Sequence, residues 1–567
     1  MIALGISDNH DSGVCLWRDG RIISAMNEER LARQKLKGGF PHLSIERAME
    51  DAGIKPHQID LILLGSEMTP ATLLRLWEAS HDSLRRKSSS FSYLLNAYIV
   101  YQVLAHTLKV PQALERLCSE KIIRGRLRQL NIKAPVIGIE HHHAHASSAY
   151  YTSGAQDDAL IITIDAMGDA LSVTVNIGRH NTITRIFSQN GFSSISVYYS
   201  RLTEFLGFRP LAHEGKITSL AGYGKPHPRI RQIAEKQLRF VEKRGAFNLK
   251  NHFLKERRSN RLYRELGGYA REDIAYAFQN NFESQIAAFI DFWVKVTGIR
   301  NVCVAGGAFA NVSVNRKISQ SRHVDRLYIF PHMGDGGLAL GAVCAFFRPD
   351  PFYLKQIYWG PAYATAYIQR LLGGAGLTHL LMEEEALCVR VAELLAQGKT
   401  VAHFNAGMEY GPRALGNRSI LYRADDPTCL EWLNRKLARE RFMPFAPVSL
   451  FEEAESLYTG INKIGYTLRF MNIAVDCAPA MKERCPGAVH IDGTARPQIL
   501  HAQDNPRLCA IMREYEKRTG TSTVINTSFN RHEEPIVCSP GDAMRSFLEC
   551  GLDYLVLNNF LVCQKNN

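Results

Sequence analysis

Twelve cysteines in 567 residues form no Cys-x-x-Cys pair, so the chain offers neither a zinc ribbon nor a disulfide framework. Cys303, Cys344 and Cys538 sit among apolar or small residues and are expected as buried thiols, which leaves no cysteine nucleophile to nominate. No apolar run is long enough to span a bilayer; the best, residues 93–105, is broken by Asn96 and Gln102. Met1-Ile2-Ala3-Leu4-Gly5-Ile6 enters a strand pattern directly, without the form of a signal peptide, so a cytoplasmic location is expected. Low-complexity segments are absent, and so are zinc-finger and RNP-like patterns. Neither nucleic acid nor membrane is therefore expected as a partner.

What is present is an ordinary soluble composition, 46% hydrophobic and 22% charged, in a chain too long for one core. Two domains are expected. The best linker is Pro349-Asp350-Pro351 followed by Gly360-Pro361, which divides the chain into 1–348 and 362–567 with 349–361 between them. The net charge of +13 is diffuse. Its densest cluster, Lys255, Arg257, Arg258, Arg261 and Arg264, has only Tyr263 as an aromatic and reads as a solvated basic face.

Two segments repeat one design. Residues 2–8, 13–17 and 21–25 form a strand, a polar loop, a second strand, the turn Asp19-Gly20 and a third strand. Residues 160–165, 171–175 and 182–186 repeat that order. This is how each half of the actin/Hsp70 fold opens, so a duplicated α/β domain is expected. A helical insert, about residues 70–130, lies between the copies, and a charged helical stretch spans about 229–297. After the linker, helix 384–397, strand 400–404 and a Gly/Arg-rich loop restart the pattern.

Four residues suggest a metal site. His141 and His145, at i and i+4, share a helix face, while Asp165 and Asp335 each end a strand. Two imidazoles and two carboxylates suit Fe(II), Mn(II) or Zn(II). Gly306-Gly307 after a strand allows close backbone approach to a phosphate or ribose, with Asn311 and Asn315 beside it. In the second half, Arg413 and Arg418 lie five apart on a glycine-bounded turn, and Lys436, Arg439, Arg441 and Arg496 follow on Gly/Pro-ordered loops. Guanidinium forks suit phosphate oxygens. Asn526, Thr527, Ser528, Phe529 and Asn530 read as a polar turn between strand-like residues 522–525 and 534–537, shaped to cradle a nucleotide or phosphate.

These motifs, in this order, resemble the O-carbamoyltransferase family of the nebramycin 5′-synthetase, cephem and nodulation-factor type. The resemblance runs nearly end to end. It takes in His10-Asp11-Ser12, Glu28-Glu29-Arg30, residues 141–145, Gly215-Lys216, Leu220–Gly224, Gly306-Gly307, Gly411–Ser419, Pro444–Pro447, Arg496-Pro497-Gln498 and Asn526–Asn530. It implies an actin-like, TsaD-like N-terminal domain and a YrdC-like C-terminal α/β domain. The C-terminal domain is then expected to make carbamoyl-adenylate from carbamoyl phosphate and ATP, with Mg accompanying the ATP. The N-terminal domain would pass the carbamoyl group to a small-molecule hydroxyl acceptor, a sugar or natural product. By the same resemblance His141, His145, Asp165 and Asp335 hold a divalent metal, with Fe(II) the first expectation. Arg413 and Arg496 bind nucleotide or carbamoyl phosphate, and Asn526–Asn530 line the ATP site. His10 is the first candidate for the base and Glu214, in His213-Glu214-Gly215-Lys216, the second; Lys216 is grouped with them as catalytic. Acceptor recognition is expected in the helical insert, and a homodimer is compatible with this reading.

Two departures stand out. Where several members carry Arg before Pro-Phe-Ala-Pro this chain has Met443, with Lys436 or Arg441 as the expected substitutes. The usual Asp-Gly after the first metal strand is Asp165-Ala166. The rival readings are a tRNA threonylcarbamoyl-transfer enzyme, disfavoured because one chain fuses both domains and no RNA-reading module is evident, and a degenerate nucleotide-binding scaffold protein.

Overall fold

A computed structural model describes residues 1–76, 100, 101, 104, 109–250 and 261–564. Two compact units emerge. The first comprises Met1–Glu29 and Leu36–Leu354, and the second comprises Arg30–Lys35 and Lys355–Asn567.

The first unit contains one topology twice. Strands β1 (Ile2–Ser7), β2 (Gly13–Arg18), β3 (Arg21–Asn27), β4 (Leu61–Leu64) and β5 (Val136–Gly138) form a sheet in the order β3-β2-β1-β4-β5. Strands β6 (Ala159–Gly168), β7 (Leu171–Arg179), β8 (Thr182–Asn190), β9 (Asn301–Ala305) and β10 (Arg326–Ile329) follow the same plan, β8-β7-β6-β9-β10. In each, three antiparallel strands joined by short turns are extended by two parallel strands reached through helical crossovers. The central strands are buried along most of their length and read as near-continuous apolar runs, as parallel positions require.

Helices α1 (Lys109–Gln129), α2 (His141–Tyr151), α3 (Glu214–Ala221), α4 (Arg271–Thr297) and α5 (Leu338–Phe347) complete what is needed to place the site. α2 packs on α5, and Gly341 permits it: a Cβ there would stand 2.1 Å from the Ala144 carbonyl oxygen. Of the helical insert, Thr72–Leu76 and α1 are described; residues 77–99, 102, 103 and 105–108 lie outside the described residues. So do Lys255, Arg257 and Arg258 of the basic cluster, whereas Arg261 and Arg264 fall on a short helix, Arg261–Leu266.

The second unit is an eight-stranded mixed sheet. Its strands are β11 (Thr378–Leu381), β12 (Val401–Phe404), β13 (Arg418–Arg423), β14 (Ala446–Leu450), β15 (Gln498–Leu500), β16 (Val524–Ser528), β17 (Tyr554–Leu557) and β18 (Phe560–Cys563). The order is β11-β18-β17-β12-β13-β16-β14-β15. Helices α6 (Glu384–Ala396) and α7 (Pro506–Thr519) bury Leu387, Val391, Leu395, Leu508, Ile511 and Met512 against Val401, Leu421, Val448, Val524 and Val556. α7 starts on an Asn505 cap that accepts from Leu508 N–H, with Pro506 at its first position, and stops at Gly520 in the left-handed region.

Two local expectations need correction. Asn526, Thr527 and Ser528 are not in a turn; they belong to β16, where β13 pairs with all three and β14 with Asn526, and the turn begins at Phe529. Residues 534–537 are not a strand. Pro535 has no N–H to give a ladder, and Val537 N–H makes a single bond, to Phe529 O at 2.9 Å. Among the described residues no helix is long and apolar enough to cross a membrane.

Candidate functional site

In the first unit, the start of α2 is closed by carboxylates. Asp169 accepts from His141 N–H at 2.9 Å, and Glu140 accepts from His142 and His143 N–H at 3.2 and 2.8 Å. Anionic groups complement this end of the helix dipole. Asp169 also accepts from the amides of Glu67, Met68 and Thr69, so it fixes the neighbouring loop as well.

On this helix His141 and His145 meet Asp165 from β6 and Asp335 from the turn after β10. One ligand atom from each of the four lies within 4.8 Å of every other, and all four side chains are buried. Ligand atoms around one four-coordinate ion with ~2.2 Å bonds stand about 3.6 Å apart, so the set is close to the spacing an ion needs and closes with shifts of about 1 Å or less. The polar bookkeeping fits an ion too. Ser66 Oγ lies 2.8 Å from both Gly65 O and His141 Nδ1, which fixes the imidazole with Nε2 toward the two carboxylates. His141 Nε2 lies 3.3 Å from Asp165 Oδ2 and 3.6 Å from Asp335 Oδ1, and without a metal these carboxylates hold a proton on the imidazole, raising it to about 9 against the pull of burial. Both ring nitrogens of His145, and Asp335 Oδ1, make no hydrogen bond in the buried site. A divalent cation would give these unbonded atoms, and the two carboxylates, a common partner.

His142 is not part of the set. Its Nδ1 meets Thr163 Oγ1 at 2.7 Å, and burial, followed by the charges of His141 and His145, drives its pKa well down. His10 Nδ1 lies 3.1 Å from Asp335 Oδ2, and its side chain is 37% exposed. Burial opposes ionisation of Asp335, but His10 and His141 prevail and hold its carboxyl well below the usual range.

The other candidates in this unit have different partners. Gly307 N–H donates to Asp165 Oδ1 at 2.8 Å, so this amide orients a carboxylate of the metal set rather than a phosphate. Gly306 makes that turn possible with φ at +106°, where a Cβ would stand 2.3 Å from Ile164 O. Gly306→Ala is expected to destabilise the protein by at least about 2 kcal/mol and to weaken metal retention. Denaturant unfolding and metal analysis check this; wild-type values for both would contradict it. Asn311 is committed to structure, capping a short helix at Val314 N–H and pairing with Gln279. Asn315 donates to Phe309 O. Glu214 accepts from Ser200 Oγ at 2.7 Å and Leu211 N–H at 2.6 Å, with burial raising its carboxyl, so it serves as a structural acceptor. Lys216 is buried with its ammonium 5.7 Å from the Phe208 ring centre.

In the second unit the structure gathers Arg413, Arg439 and Arg496. Gln498 Nε2 donates to Leu415 O at 3.0 Å, and Asn526 Nδ2 donates to Gln498 Oε1 at 2.8 Å and Ala414 O at 3.3 Å. These bonds tie the Arg413 loop and the Arg496 turn to β16. Arg439 reaches the same strand, donating to Thr527 Oγ1 at 3.1 Å and stacking over Phe445. Each guanidinium is partly exposed yet set deep. Burial lowers Arg413 and Arg439 to about 10, and burial followed by repulsion from those two holds Arg496 well below the usual guanidinium range. Among the described residues no carboxylate pairs with any of the three. Three uncompensated guanidinium groups make a site for a strongly anionic ligand.

Three sequence candidates do not join them. Arg418 is fully buried and gives its N–H groups to the carbonyls of Pro361, Asn405, Ala406 and Asn417 while lying over Phe404. Lys436 runs beside Gly551, and Arg441 is exposed. With Met443 at the position expected to hold an arginine, the third guanidinium is therefore that of Arg439. Phe529 is buried, and Asn530 Nδ2 donates to the carbonyls of Arg531 and Glu534, which closes the turn after β16. Sequence reasoning missed Glu409, whose buried Oε1 accepts from the amides of Leu415, Asn417 and Arg418. A carboxylate inside the molecule thus fills the amide nest of the Gly411–Ser419 loop, leaving Arg413 as its outward contribution.

The sequence matches family models described as Carbamoyltransferase N-terminus over residues 2–344 and Carbamoyltransferase C-terminus over residues 392–564. An uncharacterized protein of Synechocystis sp. is 29% identical, covering 99% of this chain and 96% of its own. The nodulation protein NolNO of Sinorhizobium fredii is 29% identical over 98% of this chain and 79% of its own. The nodulation protein NolO of Bradyrhizobium diazoefficiens is 31% identical over 75% and 78%. Among solved structures, full-length HypF in its phosphate- and nucleotide-bound form covers 62% of this chain and 56% of its own at 13% identity. Its TM-score of 0.32 is too low to argue from.

Proposed function

The chain belongs to the carbamoyltransferase family and is a carbamoyltransferase, and from that premise we propose that it works by two half-reactions, one in each unit. The observation that carries this reading is the trio Arg413, Arg439 and Arg496, a cationic site whose guanidinium groups repel one another and pair with no carboxylate among the described residues. In the proposed first half-reaction, carbamoyl phosphate yields its phosphate to water, and a carbamate oxygen attacks the α-phosphorus of ATP. Pyrophosphate leaves and carbamoyl-adenylate forms. The three guanidinium groups neutralise the phosphoryl oxygens and line them up, which is most of what phosphoryl transfer asks of a protein. By this reading the second unit is YrdC-like.

In the second half-reaction, proposed for the duplicated, actin-like first unit, an acceptor hydroxyl attacks the carbamoyl carbon. The new C–O bond forms, the bond to the adenylate oxygen breaks, AMP departs, and the hydroxyl proton goes to a base. His10 suits that role: with Nδ1–H donated to Asp335, Nε2 is its basic nitrogen. His141, His145, Asp165 and Asp335 would hold a divalent cation. When bound, it supplies Lewis-acid stabilisation of the charge on the departing phosphate. The acceptor class that fits is a sugar or other small hydroxyl compound.

The test is pyrophosphate release from ATP by metal-replete enzyme, with and without carbamoyl phosphate and with no acceptor present. Release that requires carbamoyl phosphate, with carbamoyl-adenylate seen by mass spectrometry, is the expected result. Release indifferent to carbamoyl phosphate, or none at all, would refute the reading.

A further inference from the structure

The second unit borrows six residues from far upstream, Arg30–Lys35. Arg30–Ala32 are the end of a one-turn helix, Glu28–Ala32, and the chain turns back at Arg33 and Leu36, both at φ +53°. A six-residue strap cannot bury a core of its own, so polar bonds must fasten it. Two arginines do so. Arg30, 4% exposed, donates from Nη2 to Gly411 O at 2.8 Å. Arg33 donates from Nη1 to Ile536 O at 2.7 Å and from Nη2 to Pro535 O at 2.9 Å, with Nε 3.3 Å from Asp542 Oδ1.

The carbonyls chosen matter. Gly411 lies two residues before Arg413. Pro412, between them, has no N–H, so this end of the loop lacks the amide anchors that Glu409 gives its other end. Pro535 and Ile536 follow Glu534, whose carbonyl accepts from Asn530 Nδ2, and precede Val537, whose N–H reaches Phe529 O. That segment is in no strand, and its carbonyls need donors from elsewhere. A guanidinium, with five donors in a rigid fork and no acceptor, suits the bridging of carbonyls on segments that do not pair with each other.

We propose that Arg30 and Arg33 are positioning residues of the three-arginine site: the strap clamps the Arg413 loop and the turn after β16, setting where Arg413 and Thr527 stand. They act through those loops: Arg30 bonds the Gly411 carbonyl, and Arg33 bonds the carbonyls of Pro535 and Ile536 and pairs with Asp542. This inference rests on the reading of Arg413, Arg439 and Arg496 as the donor-substrate site.

The experiment uses the full-length, metal-replete protein with Arg30→Ala, Arg30→Lys and Arg33→Ala, and with Arg413→Ala as reference. Pyrophosphate binding is measured by calorimetry, and KM and kcat for carbamoyl phosphate are measured from pyrophosphate release. Displacement of a contact group by about 1 Å costs on the order of 10²-fold. Pyrophosphate Kd and carbamoyl phosphate KM should therefore rise about 10- to 100-fold in both alanine variants, with metal content unchanged. Arg30→Lys, which keeps one donor for Gly411, should fall between Arg30→Ala and wild type. Wild-type Kd and KM, or a kcat that falls only with the folded fraction while KM stays fixed, would overturn the proposal. Should Arg30→Ala fail to fold, Arg30→Lys and Arg33→Ala decide by the same criteria. If wild type and Arg413→Ala differ as expected while the strap variants match wild type, the strap alone is refuted. If wild type neither binds pyrophosphate nor releases it, the donor-site reading falls and the strap proposal with it.

Discussion

His145→Ala is expected to empty the metal site and slow carbamoyl transfer to the acceptor by at least about 10³-fold, while carbamoyl-phosphate-dependent pyrophosphate release stays within about threefold of wild type. The rate figure follows from the several kcal/mol of charge stabilisation that a bound cation supplies. His145 is the sharpest probe of the four ligands. Asp165 also holds Gly307 N–H, Asp335 also holds His10, and His141 also holds Ser66. His145 has only its 3.5 Å ion-pair contact with Asp335 Oδ1 and no hydrogen bond to lose, so a purely structural role predicts the cost of that contact and of a buried cavity, with no loss of metal. Elemental analysis and single-turnover transfer from supplied carbamoyl-adenylate separate the two. A variant that retains its metal and its transfer rate would exclude these residues as the metal site.

The metal-stripped wild type has its own signature. Burial opposes a charge on His141, but Asp335 and Asp165 prevail and raise its pKa to about 9. A folded-state pKa above the unfolded value of about 6.5 stabilises the fold fully below pH ~6.5, and that stability is lost as pH rises through 9. Denaturant titrations of metal-free protein should show this decline, and metal-loaded protein should not.

What could be read from the sequence was what is local. The paired strand triplets show because hairpin turns such as Asp19-Gly20 interrupt alternating apolar runs. The imidazole pair shows because i and i+4 share a helix face whatever lies around it. Asp165 and Asp335 show because each follows an apolar strand pattern, although Asp165 proves to lie inside β6 and Asp335 in the turn beyond β10. Long-range choices were not legible. Arg413 and Arg418 look equivalent five residues apart, yet a cage of carbonyls takes Arg418 and leaves Arg413 for a ligand. Ser66 reaches His141 across 75 residues, Gln498 reaches Leu415 across 83, and Arg30 reaches Gly411 across 381. No spacing rule spans such distances. Asn526-Thr527-Ser528 reads as a turn by composition, and strand pairing overrides it: β13 pairs with all three residues and β14 with Asn526 as well.

Arg496→Ala should abolish carbamoyl-phosphate-dependent pyrophosphate release, by about 10³-fold or more, and at the same time make the ligand-free protein more stable by roughly 1 kcal/mol. The two effects have one cause. Arg496 feels burial first and then the charges of Arg413 and Arg439, with no carboxylate to offset them. Its pKa is therefore depressed, which means that the folded state holds its charge under protest. Removing the charge relieves that repulsion, just as binding an anion does. Pyrophosphate should accordingly raise the melting temperature of the wild type, by an amount equivalent to about 2.7 kcal/mol at a hundredfold excess over Kd, and should leave Arg496→Ala nearly unmoved. Arg496→Lys separates charge from shape: it keeps the repulsion but loses the bidentate fork, so it should gain little stability and still lose most of the activity. An Arg496→Ala protein less stable than wild type, with pyrophosphate stabilising both equally, would make this guanidinium a structural cross-link. A more stable, inactive variant that ignores pyrophosphate is the behaviour of a site whose missing partner is the substrate.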